Sequence, residues 1–312
     1  MTQPLAYLKG EMIPADQAVL PVFDAGIVLG ATVTEMVRTF NQRLFRLEEH
    51  LERLERSLKY VGFDTGLSRD KLAEISHELI EHNARLIPKE DDLGLVIFVT
   101  AGAFPTYAGQ VAGTYENRPT VCAHSFPLPF EQWDGQLDTG MHLVTPSIRH
   151  VPPQCYDPKM KYRSRMHYYL ADRQARLVDP QAAALLLDLD GNVTETGSAN
   201  FLIVAVGQIV SPTLRNILPG VSRQVVHELA DRLGIEFVER DFQLHDVVNA
   251  EEAFVSTTPY CLGSVTRING TPIGSGQPGP IVDRLWEAWD ELADLNIRQQ
   301  IREGASRRRP FP

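Results

Sequence analysis

Five places along this 312-residue chain hold polar groups that could do chemistry. Lys159 and Lys161 lie in "DPKMKYRSRMHYYLADRQA", residues 157–175, just after a proline and just ahead of a helical pattern. A lysine amine becomes a Schiff-base nucleophile when burial keeps part of it neutral, and is otherwise surface charge. The local pattern allows either reading for both. In "LPGVSRQVV" a Leu218-Pro219-Gly220 turn runs straight into a helix. Free N–H groups at that start, with the Ser222 hydroxyl, form an anion site, unless Ser222 is a plain N-cap. "STTP", Ser256 to Pro259, follows an apolar strand, where hydroxyls and amides bind phosphate or carboxylate, or simply close a turn. Glu195, in "VTETGSANF", is followed by Gly197 and small residues that permit close approach. Buried, it needs a cation or a shared proton; exposed, it is a strand glutamate. Arg53 lies off the leucine stripe of its helix with Glu49 at i−4, the pattern of an exposed ion pair.

The elements that must position these residues follow from patterning. "AYLKGEMI" is a hairpin around Lys9-Gly10, and "TEMVRTFNQRLFRL" gives two strands around Asn41-Gln42. Leu47, Leu51, Leu54 and Leu58 recur at helical spacing and predict an amphipathic helix over 48–60. A second helix follows in "LSRDKLAEISHELIEHNA" with Ser68 as N-cap, then a buried strand in "DLGLVIFVTAG". Beyond residue 136 the pattern is a strand at "MHLVTPSI", a helix at "RMHYYLADRQARLV", and a meander with turns at Asp190-Gly191-Asn192 and Gly207-Gln208. A helix at "GVSRQVVHELADRLGI", strands hinged at Asn269-Gly270, and a helix at "PIVDRLWEAWDELADL" complete it.

This pattern gives an α+β protein with a smaller N-terminal α/β domain over 1–124 and a larger C-terminal domain over 137–303. "SFPLPFEQWDGQ", residues 125–136, has two prolines and no periodicity and reads as the inter-domain linker. Residues 304–312, with the basic run Arg307 to Arg309, read as a flexible tail. The formal charge of −10 argues against nucleic acid or an anionic membrane surface as partner. No stretch of about 18 apolar residues spans a bilayer. Three cysteines without CxxC spacing argue against a disulfide framework or a zinc site, and no metal site is expected. Together with the absence of a secretory pattern in "MTQPLAYLKGEM", they predict a reducing, cytoplasmic setting.

Six segments, in this order, resemble the fold-type IV pyridoxal-phosphate enzymes, which include branched-chain and D-amino-acid aminotransferases and aminodeoxychorismate lyase. They are "FDAGIVLGATVTEMVR", "RLFRLEEHLERL", "DPKMK…LADRQA", "DLDGNVTETGSANFLIV", "ILPGVSRQVV" and "EAFVSTTP…VTRINGTPIG", and the resemblance as a whole runs from about residue 7 to 292. The resemblance implies a two-domain fold with a mainly β core and flanking helices in the larger domain. It implies a homodimer with the cofactor pocket between the domains. The family's Schiff-base lysine precedes the alanine of "LADRQA" by fourteen residues, and both that count and "DPxxK" select Lys161 over Lys159. The arginine of "EHxxRL", which grips the cofactor phosphate, falls on Arg53. Val221, Ser222 and Thr258 match the other phosphate contacts, and Glu195 matches the carboxylate facing the pyridine nitrogen. The implied reaction moves an amino group between a small amino acid and a 2-oxo acid, branched-chain type favoured. The lyase that makes 4-aminobenzoate and pyruvate, and D-amino-acid or (R)-amine transamination, stay open as alternatives.

Departures fall on the substrate side. Where D-amino-acid enzymes read "TRG" the chain has Thr100-Ala101-Gly102. Gly94 stands where branched-chain enzymes place an arginine, and Thr34 replaces the aromatic residue before Glu35. Arg38, Arg165, Thr257 and Pro259 are the candidate substrate contacts, with Arg163 and His167 nearby in the chain.

Overall fold

The computed structural model describes residues 3–109 and 118–308. The chain divides into two compact units, Met1–Leu128 with Met160–Ser164, and Pro129–Lys159 with Arg165–Pro312.

In the first unit, β1 (Leu5–Leu8), β2 (Glu11–Pro14), β3 (Thr32–Phe40), β4 (Arg43–Leu44), β5 (Leu93–Thr100) and β6 (Thr120–Pro127) form one antiparallel sheet, ordered β2-β1-β6-β5-β3-β4. Both expected hairpins are present. Lys9 and Gly10 take φ of 52° and 103°, and Asn41 and Gln42 take 50° and 61°, the left-handed pairs that a two-residue turn between twisted strands requires. Helices α1 (Ala25–Val28), α2 (Leu47–Val61), α3 (Arg69–Ala84) and α4 (Pro105–Ala108) complete the unit. Leu47, Leu51, Leu54 and Leu58 of α2 pack with Val33, Val37, Leu95, Ile97 and Val99 of the sheet. Each buried leucine stabilises by roughly 1.5–3 kcal/mol, whereas an exposed pair such as Arg56–Glu52 adds about 0.3–0.5, so the leucine stripe holds the helix. Ser68 caps α3 as expected, its Oγ accepting from the Lys71 N–H at 3.2 Å.

The second unit holds α5 (Asp134–Thr139), β7 (Met141–Val144), α6 (Met166–Val178), β8 (Ala183–Leu187), β9 (Val193–Thr196), β10 (Asn200–Ala205), β11 (Gln208–Ser211), α7 (Val221–Leu233), β12 (Phe237–Glu239), α8 (Leu244–Val248), β13 (Glu252–Thr257), β14 (Cys261–Ile268), β15 (Thr271–Pro272), α9 (Pro280–Ala293) and α10 (Ile297–Arg308). Its sheet runs β12-β11-β10-β13-β14-β7-β8-β9, with β15 on β14. Strand β9 also pairs with β10 through Glu195 and Asn200, so the ladder closes on itself. Helix α6 lies on β8 through Tyr168, Ala171 and Ala175, whose i, i+3, i+7 spacing makes one face. The turn after β10 falls on Val206-Gly207, one residue before the expected Gly207-Gln208. Left-handed backbone is unfavourable at a valine, and the Glu251 carboxylate offsets this by accepting from the N–H groups of Val206 and Gly207 at 2.9 and 3.1 Å.

Two segments differ from the sequence expectation. The boundary between the units, after Leu128, falls inside the expected linker 125–136, but the segment is built into both units: Ser125 and Pro127 are paired within β6, Leu128 and Phe130 are fully buried, and α5 starts at Asp134. Proline removes backbone donors but does not stop neighbouring apolar side chains from being buried. Residues 304–308 are the last turns of α10 rather than a loose tail. A Cβ at Gly304 would lie 2.2 Å from the Phe130 ring, Arg302 grips Asp138 at 2.7 Å, and Arg308 sits over Phe130 and 3.5 Å from Glu131. Residues 309–312, the end of that expected tail, lie outside the described residues.

Candidate active site

In the first unit Arg53 points inward. The exposed pair with Glu49 is replaced, because Glu49 bonds Arg46 at 2.8 Å while Arg53 donates twice to Glu35. Its Nε meets Oε1 at 2.8 Å and its Nη2 meets Oε2 at 2.7 Å, and all of these groups are buried. His50, one helical turn earlier, places Nδ1 2.8 Å from Glu35 Oε2. A carboxylate only accepts, so this nitrogen carries the proton. Burial alone would push Glu35 up; Arg53 and then His50 overcome it and hold the carboxyl at about 2. Burial pushes His50 below its ordinary value against the pull of Glu35, and the positive charges of Arg53 and Lys161 act in the same direction as burial. The guanidinium is therefore fixed along one edge before any ligand arrives.

Lys161 is half-buried and Lys159 is exposed. The Lys161 backbone is tied on both sides: its C=O accepts from the Thr34 N–H at 2.9 Å, and its N–H donates to Ser57 Oγ at 3.4 Å. Tyr162 bridges Val33, and the Arg163 N–H donates to the Thr32 C=O at 3.0 Å, so residues 161–163 run as a short extra edge beside β3.

In the second unit Glu195 is buried and held by three donors. Tyr168 Oη lies 3.0 Å from Oε1, and Oε2 accepts from Asn200 Nδ2 at 3.0 Å and the Leu218 N–H at 3.2 Å. The second Asn200 N–H reaches the Leu218 C=O at 2.9 Å, which ties the carboxylate to the segment entering α7. That helix begins at Val221 with Gly220 as N-cap and no side-chain cap, so Ser222 is its second residue and not its cap. Ser222 is buried. On β13, opposite Asn200, the buried Ser256 Oγ finds no hydrogen-bond partner among the described residues. Thr257 Oγ1 donates to the Ser198 C=O at 2.7 Å, and Thr258 and Pro259 follow, both half-buried.

A Cβ at Gly220 would lie 2.1 Å from Asn200 Oδ1, although the φ of −67° at this position suits any residue. Close approach, not backbone conformation, is what requires glycine here. Gly220→Ala is expected to push Asn200 off Glu195 and Leu218 and to cost about 1–3 kcal/mol, seen as a lower urea midpoint. Unchanged stability would mean that Asn200 is free to move.

Arg38 is not placed as the substrate contact expected of it. It lies on the face of β3 opposite Glu35, is buried, and engages Asp92 at 3.8 Å, the Thr39 C=O at 3.0 Å and the Phe40 ring at 3.9 Å. Gly94, its register partner on β5, leaves no room for an arginine, since a Cβ would meet the Phe126 ring at 2.5 Å. Arg165 precedes α6 and sits over the Tyr168 ring at 4.8 Å, while Arg163 is exposed, 5.2 Å from the Phe98 ring.

The residues not foreseen are Glu35 and His50 around Arg53, and His150, Tyr168 and Asn200 around Glu195. Asn200 had a signal, because a two-residue turn at Gly197-Ser198 sets 195 opposite 200. His150 had none: its Nε2 lies 2.9 Å from Tyr168 Oη and 3.5 Å from Glu195 Oε1, contacts made between residues distant in sequence.

The family model for amino-transferase class IV matches residues 32–268, and the chain belongs to that family. It is 30% identical over 293 residues to a putative branched-chain-amino-acid aminotransferase of Methanocaldococcus jannaschii, covering 92% of this chain and 95% of that one. It is 29% identical over 292 residues to a D-alanine aminotransferase of Staphylococcus aureus, covering 92% and 97%. Branched-chain-amino-acid aminotransferase-like protein 2 of Arabidopsis thaliana is 29% identical over 290 residues, 93% of this chain; this chain spans about half the length of that relative. Among solved structures, a T.th. branched-chain amino acid aminotransferase complexed with N-(5'-phosphopyridoxyl)-L-glutamate superposes with a TM-score of 0.82 at 24% identity, over 97% of each chain. The fold is that of the fold-type IV enzymes.

The second unit fits a phosphorylated pyridine on its own chemistry. A buried carboxylate suits a protonated ring nitrogen, and an uncapped helix start beside buried Ser222 suits a phosphate. The unsatisfied Ser256 hydroxyl adds a donor on the adjoining strand.

Proposed function

We propose that this chain is a pyridoxal 5'-phosphate-dependent aminotransferase acting between a small amino acid, branched-chain type favoured, and a 2-oxo acid. The observation that carries this reading is the Asn200 bridge, which joins a buried carboxylate to an uncapped helix start in one rigid frame. When bound, pyridoxal phosphate supplies the electron sink that α-proton removal from an amino acid needs. Lys161 is the residue that would hold it, and its amine would move the α-proton as base and acid. Arg53, held by Glu35, is assigned to the phosphate together with Ser222, Thr258 and the Val221 amide. Glu195 would keep the ring nitrogen of the bound cofactor protonated. Arg165, Thr257 and Pro259 are the remaining candidates for contact with substrate. A homodimer is part of the same proposal.

The test is to add pyridoxal phosphate to the purified protein, reduce with borohydride and map the label. The expected site is Lys161. The loaded protein is then offered L-leucine, L-glutamate and D-alanine with 2-oxoglutarate. Amino transfer from L-leucine is the expected result. Transfer from D-alanine alone would replace the branched-chain assignment. Release of 4-aminobenzoate from aminodeoxychorismate without transamination would replace the aminotransferase assignment with the lyase. A protein that takes up no cofactor would end the proposal.

A further inference from the structure

The short edge beside β3 carries a second cation besides Lys161. Met160 packs into the core that α2 shares with the sheet, and Tyr162 pairs with Val33, which lies in that same core. Side chains alternate along extended backbone, so Lys161 and Arg163 both project to the opposite face of the sheet. Their Cα atoms stand about 7 Å apart at the usual rise of two residues. The segment is fixed beyond Lys161 as well. The Arg163 N–H donates to the Thr32 C=O at 3.0 Å, and Ser164 Oγ donates to the Gly30 C=O at 2.7 Å.

Register lays out that face. Thr34 pairs with Phe98 and Phe98 with Cys122, and the next row is Met36, Val96 and His124. None of these six positions carries a carboxylate. Arg163 lies over the Phe98 ring at 5.2 Å, crossing β3 where the residues at 32 and 34 are short threonines. Its positive charge adds to burial in holding His124 below its ordinary value. A guanidinium set over a ring is oriented by it, and its N–H groups lie in its own plane, where a carboxylate can meet two of them. Two other arginines of this unit are committed inward, Arg53 to Glu35 and Arg38 to Asp92, and both are buried. Arg163 is exposed.

We infer that Arg163 anchors the carboxylate that a substrate carries beside its reacting carbon, holding it on the face that also bears the Lys161 amine. This deepens the proposed function and rests on it. Adjacency selects that carboxylate over one at the far end of a side chain. It is bonded directly to the carbon that the amine serves, and Lys161 and Arg163 are successive residues on one face. Met36 and Phe98, both half-buried on the neighbouring strands, suit a hydrocarbon side chain, so the substrate class is a monocarboxylic amino acid with an apolar side chain.

The test uses pentanoate, a carboxylate with an apolar tail and no reactive group. It is titrated by calorimetry into the full-length protein before and after addition of pyridoxal phosphate. Arg163→Gln is expected to weaken it roughly 10–100-fold in both titrations, the size of losing charge-assisted hydrogen bonds. Arg163→Lys is expected to fall between, because lysine keeps the charge but not the fork. In turnover, KM for L-leucine and for L-glutamate is expected to rise together in Arg163→Gln, while cofactor uptake and the borohydride label on Lys161 stay as in the wild type. Pentanoate affinity that is unchanged in Arg163→Gln, or undetectable in the wild type, would overturn the anchor. A rise in KM confined to L-glutamate would place Arg163 on a distal carboxylate and overturn the assignment, and loss of cofactor uptake in Arg163→Gln would move it to the cofactor site. A wild-type protein that takes up no cofactor would count against the functional reading, while the first titration still decides the anchor.

Discussion

Lys161→Ala is expected to lower the rate of amino transfer by about 10⁴-fold or more, because in the proposed function one amine both carries the cofactor and moves the α-proton. Lys159→Ala, two residues away, is expected to leave the rate essentially unchanged. The contrast follows from how the two backbones are held. Lys159 is exposed, with its N–H closing a local turn onto Asp157 Oδ1 at 2.9 Å. Lys161 is half-buried, anchored to Thr34 on β3 and to Ser57 on α2, and the Ser57 hydroxyl in turn donates to the Arg53 C=O at 3.0 Å. Its positive charge adds to burial and to Arg53 in holding His50 below its ordinary value. Steady-state rates for the two variants, with circular dichroism as a check on folding, decide the matter. Equal loss in both, or activity retained in Lys161→Ala, would remove Lys161 from its assigned role.

Glu35→Ala is expected to cost about 3–5 kcal/mol of stability, because it strands a buried guanidinium. The measurement is the urea midpoint at neutral pH. An effect under about 1 kcal/mol would mean that Arg53 finds another partner or reaches solvent. The same carboxylate predicts a pH dependence with a definite sign. Its folded value, about 2, lies below its ordinary 4.5, so its contribution is complete above 4.5 and is lost as pH falls from 4.5 toward 2. The full contribution is about 3 kcal/mol, and much of it is gone by pH 3. Wild-type protein is therefore expected to lose more stability between pH 6 and pH 3 than Glu35→Gln, which has no proton to take up. A parallel loss in both proteins would show that other carboxylates dominate acid unfolding. Cofactor affinity is expected to weaken in both variants, because the guanidinium is then no longer held in place.

Much of the framework was legible before any coordinates. The leucine stripe of α2, the Ser68 cap and the turns at Lys9-Gly10 and Asn41-Gln42 are local codes, read within a few residues, and the chain obeys them. The 125–136 segment does hold the boundary between the units, but its prolines and missing period describe only its backbone, and Phe130 is buried by a helix more than 160 residues later. The same limit applies to the start of the expected tail, where Gly304 lets the Phe130 ring approach closely. Arg53 looked like half of a surface pair because i, i+4 spacing is visible in sequence and the facing strand is not. Its partner Glu35 lies eighteen residues earlier, brought opposite only when β3 packs beneath α2.

The sequence by itself determined the order of elements, the family, and the chemical types available: a lysine after "DPKM", a glutamate before a two-residue turn, a turn opening a helix. Those are short-range facts, set by backbone conformation and by the order of segments. The tertiary structure alone decided which of these groups are buried and what each one touches. It turned Arg53 onto Glu35, Arg38 onto Asp92, and His150 through Tyr168 onto Glu195. The reason is that a charge's partner and its loss of water depend on residues distant in sequence, and both are settled only when strands and helices close around it.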